Sequence, residues 1–91
     1  IKKFTIVTEV REVKALMLIS TVPSTTTSAV SERVSRVAGV ESLYEITGQY
    51  DIAVILSAPT IDELNKCVDE VRAVEGVAHT ITMIVLRRYD S

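Results

Sequence analysis

The chain is poor in the residues that usually carry cross-links or catalysis. It has a single cysteine, Cys67, and a single histidine, His79, in 91 residues. One cysteine cannot close an internal disulfide, so nothing in the sequence calls for an oxidising compartment. One Cys and one His fall short of the four ligands of a structural zinc site, so neither a metal nor a cofactor is expected. Tryptophan is absent and aromatics make up 4%, which leaves the core to aliphatic side chains. The longest apolar runs, Ala15–Ile19 and Ile52–Leu56, hold five residues each, far below the roughly 18 of a membrane-spanning helix. No basic n-region followed by an apolar stretch and a small-residue cleavage site opens the chain. The net charge is −2 and the ten basic residues are scattered from Lys2 to Arg88, a poor footprint for nucleic acid. A cytoplasmic protein with no membrane and no direct nucleic-acid partner is the expectation. The first residue is Ile1 rather than Met, as in a trimmed or partial version of a longer product.

What is present is apolar character in an amount that one small domain hides with difficulty. Hydrophobic residues are 47% of the chain and charged residues 24%. Ninety-odd residues suffice for one domain, which buries only about 60–65% of its unfolded surface. Burial against another copy is therefore expected.

A repeat organises the sequence. Shifted by 37 residues, Val34, Val37, Gly39 and Val40 fall on Val71, Val74, Gly76 and Val77, and Leu18-Ile19-Ser20 falls on Ile55-Leu56-Ser57. Each half reads as apolar strand, proline, helix, Gly-Val, strand, which is a βαβ unit. Strands are expected over 13–22, 40–47, 50–57 and 77–88. The first helix is expected over about 25–38 with Ser24 as cap. The second follows Thr60-Ile61-Asp62-Glu63, a capping-box pattern, and ends at Gly76. Its residues Ile61, Leu64, Val68 and Val71 share one face. Residues 1–11 read as an N-terminal strand or linker. Two right-handed crossovers joined by a hairpin give the α+β class: a ferredoxin-like βαββαβ plait, with an antiparallel sheet of order 4-1-3-2 and both helices on one face. In Ile52–Leu56, Ala15–Ile19 and Met83–Leu86 both alternating sets are apolar, although helices can cover only one side of the sheet. Sheet-to-sheet pairing with a second copy, the dimeric α+β barrel arrangement, would cover the other.

Catalytic patterns are lacking. No GxGxxG, P-loop, HExxH or GxSxG motif occurs. His79 reads as a strand-end residue and Cys67 as a buried thiol beside the apolar stripe of the second helix. Asp62-Glu63 and Asp69-Glu70 are neighbours in sequence, so on a helix they point apart. No catalytic residue and no enzyme activity are expected.

The hairpin Thr47-Gly48-Gln49-Tyr50-Asp51 is richer. Gly48 permits a backbone geometry closed to other residues and the close approach of a ligand. Tyr50 offers an aromatic body with a hydroxyl tip, and Asp51 places a carboxylate at the mouth of a buried strand. A plain turn uses the same residues, Gly for its φ and Asp for a local hydrogen bond.

With Val13-Lys14-Ala15, Val37-Ala38-Gly39-Val40, this hairpin, and Glu75-Gly76-Val77 followed by Thr80 and Thr82, the chain resembles the effector domain of the Lrp/AsnC family, also called RAM. The resemblance covers about residues 12–88, and its most specific element is the Thr-Gly-x-Tyr-Asp hairpin. It implies a plait that dimerises sheet to sheet and assembles into rings of dimers such as octamers. It also implies an amino-acid effector bound between dimers near this hairpin, with Gly48, Tyr50 and Asp51 on the effector-site motif and Gln49 at its variable position; Thr80 or Thr82, where a neighbouring subunit brings them close, would add a hydroxyl. Residues 12–91 would then be an effector-binding and oligomerisation domain. Full members carry a helix-turn-helix domain before this one; here the preceding residues read as strand. The expectation is an amino-acid-sensing domain with no DNA-binding domain of its own, modulating transcription through a DNA-binding relative and open to hetero-assembly with a full-length regulator of this type. The alternatives are a ligand-free structural partner in mixed oligomers and a small enzyme of the dimeric α+β barrel type. The ACT domain is a further likeness at fold level only.

Overall fold

The computed structural model describes residues 12–90. Their elements run β1 (Val13–Thr21), α1 (Thr27–Ser35), β2 (Val40–Glu45), β3 (Ile52–Ala58), α2 (Ile61–Arg72) and β4 (Val77–Ile84). The sheet order is β2-β3-β1-β4 with antiparallel pairing throughout, the plait expected from the repeat. The strand expected over the first residues lies outside the described ones.

Alternation along the central strands sorts the side chains. Ala15, Met17 and Ile19 of β1 and Ile52, Val54 and Leu56 of β3 are buried toward the helices, where they meet Val30 and Val34 of α1 and Leu64, Val68 and Val71 of α2. This aliphatic cluster is the core, with no aromatic member. The repeat persists in its details. A Cβ on Gly39 would stand 2.8 Å from Cys67 Sγ, and one on Gly76 would stand 2.6 Å from Val30 Cγ2. Cys67 and Val30 are themselves 37 positions apart, so each Gly-Val turn packs on the helix of the other half.

Element ends depart from the sequence reading where local chemistry is weak. α1 begins at Thr27, with Thr26 as cap accepting from Ala29 N at 3.2 Å, rather than after Ser24. Thr25, Thr26 and Thr27 are poor helix formers, and the first turn is lost. α1 also stops at Ser35 instead of Ala38, and Val37–Val40 forms a turn closed by Val40 N to Val37 O at 3.2 Å. α2 starts as its capping box indicates, with Thr60 Oγ1 accepting from Glu63 N at 3.2 Å. It ends at Arg72, before Gly76. β2 stops at Glu45, because Ile46 N to Asp51 O at 2.9 Å already closes the hairpin. β4 stops at Ile84 rather than Arg88: Ile84 faces Ala15 and Val85 N reaches Lys14 O, where β1 itself starts.

The second sheet face holds Leu16 and Leu18 of β1, Ala53 and Ile55 of β3, Tyr44 of β2, and Ile81 and Met83 of β4, as their register places them. No helix covers it. Ile81 and Met83 keep 43% and 41% of their surface open. Tyr44, at 59%, is a member of this face that the reading of two-sided apolar runs did not include.

Candidate functional site: the β2–β3 hairpin

Gly48 sits at φ +118°, a left-handed conformation that side chains rarely adopt, and a Cβ built on it meets nothing within 4 Å. The tip is open space. Gln49 beside it is exposed, and Tyr50 and Asp51 are half-buried. Asp51 is fixed from three sides. Its backbone N–H donates to Ile19 O at 2.8 Å and its carbonyl accepts from Ile46 N at 2.9 Å. Its Oδ2 accepts from Thr21 N at 2.8 Å and from Thr21 Oγ1 at 3.2 Å. The carboxylate is thus oriented by the end of β1, and its Oδ1 has no protein donor among the described residues.

Thr21 is the residue that sequence reasoning missed. It lies 30 positions from Asp51, and nothing in its neighbourhood marks it; only the β1–β3 register brings the two together.

Thr80 and Thr82 share the sheet with the hairpin but do not touch it within one chain. Thr80 faces Ile19, which on its other side faces Ile52, and Thr82 faces Met17. Two strand spacings, about 10 Å, separate Thr80 from the foot of the hairpin. A single copy therefore assembles Gly48 to Asp51 with Thr21, and leaves the two threonines across β1.

His79 is exposed opposite Ser20 on the sheet face that no helix covers. Cys67 is buried, and its thiol donates to Ala38 O at 3.1 Å. Burial, and then the nearby Glu70 carboxylate, push its pKa up, the opposite of what a nucleophile needs. A cleft of about 380 Å3 opens beside it, bordered by Pro59, Glu63, Lys66 and Glu70; it contains no histidine and no activated thiol. Among the described residues no group of three or more His, Cys, Asp or Glu stands together as a metal site would require, and no helix is long and apolar enough to cross a membrane.

Known proteins resemble this chain over most of its length. The chain is 38% identical over 90 residues to the HTH-type transcriptional regulator LysM of Saccharolobus solfataricus, an alignment covering 98% of this chain and 63% of that protein. It is also 38% identical over 76 residues to a homocitrate synthase of Sulfurisphaera tokodaii, but that match takes in 84% of this chain and only 16% of the enzyme. Among solved structures, the fold superposes with a TM-score of 0.77 on the protein TTHA0845 of Thermus thermophilus, at 26% identity, covering 87% of this chain and 99% of that one. A feast or famine regulatory protein of M. tuberculosis complexed with L-methionine gives a TM-score of 0.74 at 21% identity, over 87% of this chain and 53% of that one. The family model of the Lrp/AsnC ligand binding domain matches residues 14–91: the chain belongs to the Lrp/AsnC family, through the ligand-binding domain of its regulators.

Proposed function

We propose that this chain is an amino-acid-sensing, oligomerising effector domain that modulates transcription through a DNA-binding relative and performs no catalysis itself. The observation that carries the reading is the hairpin: an open tip at Gly48 beside a carboxylate held in place by Thr21. The α-ammonium of an amino acid needs acceptors, and Asp51 Oδ1 with the turn carbonyls supplies them. Its α-carboxylate needs donors, and N–H groups of the glycine turn serve. Gln49 and Tyr50 then border the side chain, and Thr80 or Thr82 of a second copy adds a hydroxyl.

The relatives support a sensing role over the alternatives. Much of this domain is found in an HTH-type regulator and again as a small fraction of a synthase. Neither DNA reading nor catalysis is common to those two proteins, whereas response to a small molecule can serve both. The methionine complex of the M. tuberculosis protein is in keeping with an amino acid as the ligand. The bare sheet face of Leu16, Leu18, Ile55, Ile81 and Met83 favours a homodimer, and rings of dimers would bring Thr80 and Thr82 toward a neighbour's hairpin. The same face would accept a full-length regulator of this type as a mixed partner. A cytoplasmic location suits this role.

A second reading is a structural partner without ligand. It is favoured by one fact: Asp51 Oδ2 already has two donors in its own chain, as a purely architectural turn would arrange. Calorimetric titration with each of the twenty amino acids, combined with mass measurement in solution, separates the two. The sensing role requires saturable heat from at least one amino acid at or below millimolar concentration. Silence across all twenty, with an unchanged oligomer, establishes the structural partner instead.

A further inference from the structure

The repeat lets each half of the chain be compared with the other, and at one junction the two differ in the sign of a charge. Arg33, in the last turn of α1, donates from Nη1 to Glu75 O at 2.9 Å. A guanidinium thus caps the carbonyl that precedes Gly76. Shifted by 37 residues, Arg33 falls on Glu70 and Glu75 falls on Ala38. The carbonyl that precedes Gly39 therefore meets a helix carrying a carboxylate where its counterpart meets a guanidinium. Two acceptors cannot bond to each other. Among the described residues Ala38 O receives only the Cys67 thiol, at 3.1 Å, and a thiol is a weak donor.

The position is open. It lies in the cleft of about 380 Å3 beside Cys67, where Ala38 and Gly39 face Glu63 and Glu70 of α2, and Ala58 and Pro59 add apolar wall. Glu63 and Glu70 are two turns apart on one face of the helix, about 10 Å along its axis. Among the described residues neither holds a cation, whereas Glu32, Glu41 and Asp90 each do. Lys66 stands between them on the same rim but forms no ion pair among the described residues, so two carboxylates face the cleft against one ammonium. Helix stability accounts for Glu63, which belongs to the capping box at the start of α2. It does not account for Glu70, in the last turn, where the helix dipole disfavours a carboxylate.

We propose that this cleft is a second binding site, for a small alkylguanidinium compound whose head group takes the place that Arg33 fills in the other half. The guanidinium fork matches the Glu70 carboxylate, and a further N–H reaches the open lone pair of Ala38 O. The alkyl stem lies against Ala58 and Pro59, and Glu63 receives a second cationic group at the far end. The cleft adjoins the end of β3 away from the hairpin, so the site stands whether or not the hairpin takes an amino acid.

Agmatine is the probe, with a guanidinium at one end and an ammonium at the other. It is titrated into the full chain at constant ionic strength by calorimetry and by amide NMR, with 1,4-diaminobutane in parallel. The expected result is saturable agmatine binding at millimolar concentration or below that moves the amides of Ala38, Gly39, Cys67 and Glu70, with diaminobutane weaker because an ammonium lacks the fork. Glu70 is exposed, so its variants keep the fold. Glu70→Gln should weaken binding by roughly tenfold or more. Asp69→Asn removes an equal charge from the neighbouring position, which does not border the cleft, and should leave binding intact. Glu70→Arg restores the arrangement of the first half and should abolish binding, because its own guanidinium occupies the cleft. No saturable binding, shifts that leave residues 38, 39, 67 and 70 unmoved, diaminobutane matching agmatine, or equal effects of Glu70→Gln and Asp69→Asn would each overturn the proposal.

Discussion

Replacing glycine with alanine at two positions separates architecture from binding. Gly48 and Gly76 both hold a positive φ, +118° and +100°, so alanine at either costs about 1–2 kcal/mol in backbone strain. Their surroundings differ. A Cβ at Gly76 would lie 2.6 Å from Val30 Cγ2 and 3.1 Å from Thr25 Cγ2, and Val30 is fully buried against the sheet. Relieving that overlap adds about 1–3 kcal/mol. At Gly48 there is nothing within 4 Å to displace. Gly76→Ala should therefore lose about 2–5 kcal/mol and Gly48→Ala about 1–2, the sums of the same two effects. With a urea slope near 1 kcal/mol per molar, the two midpoints should differ by about 1 M or more. Ligand response should rank the other way: Gly76→Ala keeps it in the folded fraction, and Gly48→Val, whose branched side chain occupies the open tip, loses it. Equal urea midpoints for the two alanine variants would refute the reasoning, since they would mean that the hairpin tip is as tightly packed as the helix-facing turn.

Three further outcomes are expected. Leu18→Asp puts a charge at the centre of the uncovered sheet face, between Ala53 and Ile81; an unpaired charge in an interface costs about 3–5 kcal/mol, so light scattering should show dissociation, and an unchanged oligomer would place the interface elsewhere. Asp51→Ala strips the acceptor from Thr21 N and Oγ1 and should cost about 1–3 kcal/mol of stability, with Asp51→Asn milder, as read by chemical denaturation. The Cys67 thiol, its pKa raised by burial and then by Glu70, binds its proton more tightly folded than unfolded; its contribution is complete below the ordinary thiol range and is lost as pH rises through it. Cys67→Ala should therefore flatten the alkaline side of the stability profile, and an unchanged slope would mean that the thiol is not protected.

The repeat made the plait legible. Gly-Val pairs, prolines and apolar strands recur at one offset, which implies βαββαβ, and right-handed crossovers then give the strand order. Capping chemistry located α2 because Thr60 and Glu63 act within one turn. It failed at α1, where three threonines in succession offer several caps and little helix propensity. The far end of β4 was illegible for a different reason: Val85 to Arg88 continue the strand pattern, but a strand needs a partner, and β1 runs out at Val13. In the hairpin, residue types pointed to Gly48 and Asp51, whereas the Thr21 contact is a matter of register between distant strands. The two-sided apolar runs exposed the bare sheet face, but Tyr44 escaped because β2 alternates with polar Glu41, Ser42 and Glu45.

The central claim is that an amino acid is held at Gly48 to Asp51, and amide NMR of the isotopically labelled chain tests it most directly. Titration with each amino acid in turn should give, for at least one of them, saturable shifts of Gly48, Gln49, Tyr50 and Asp51 that extend to Thr21 through the Asp51 carboxylate. Saturable shifts confined to residues far from the hairpin, or no shifts with any of the twenty, would contradict it.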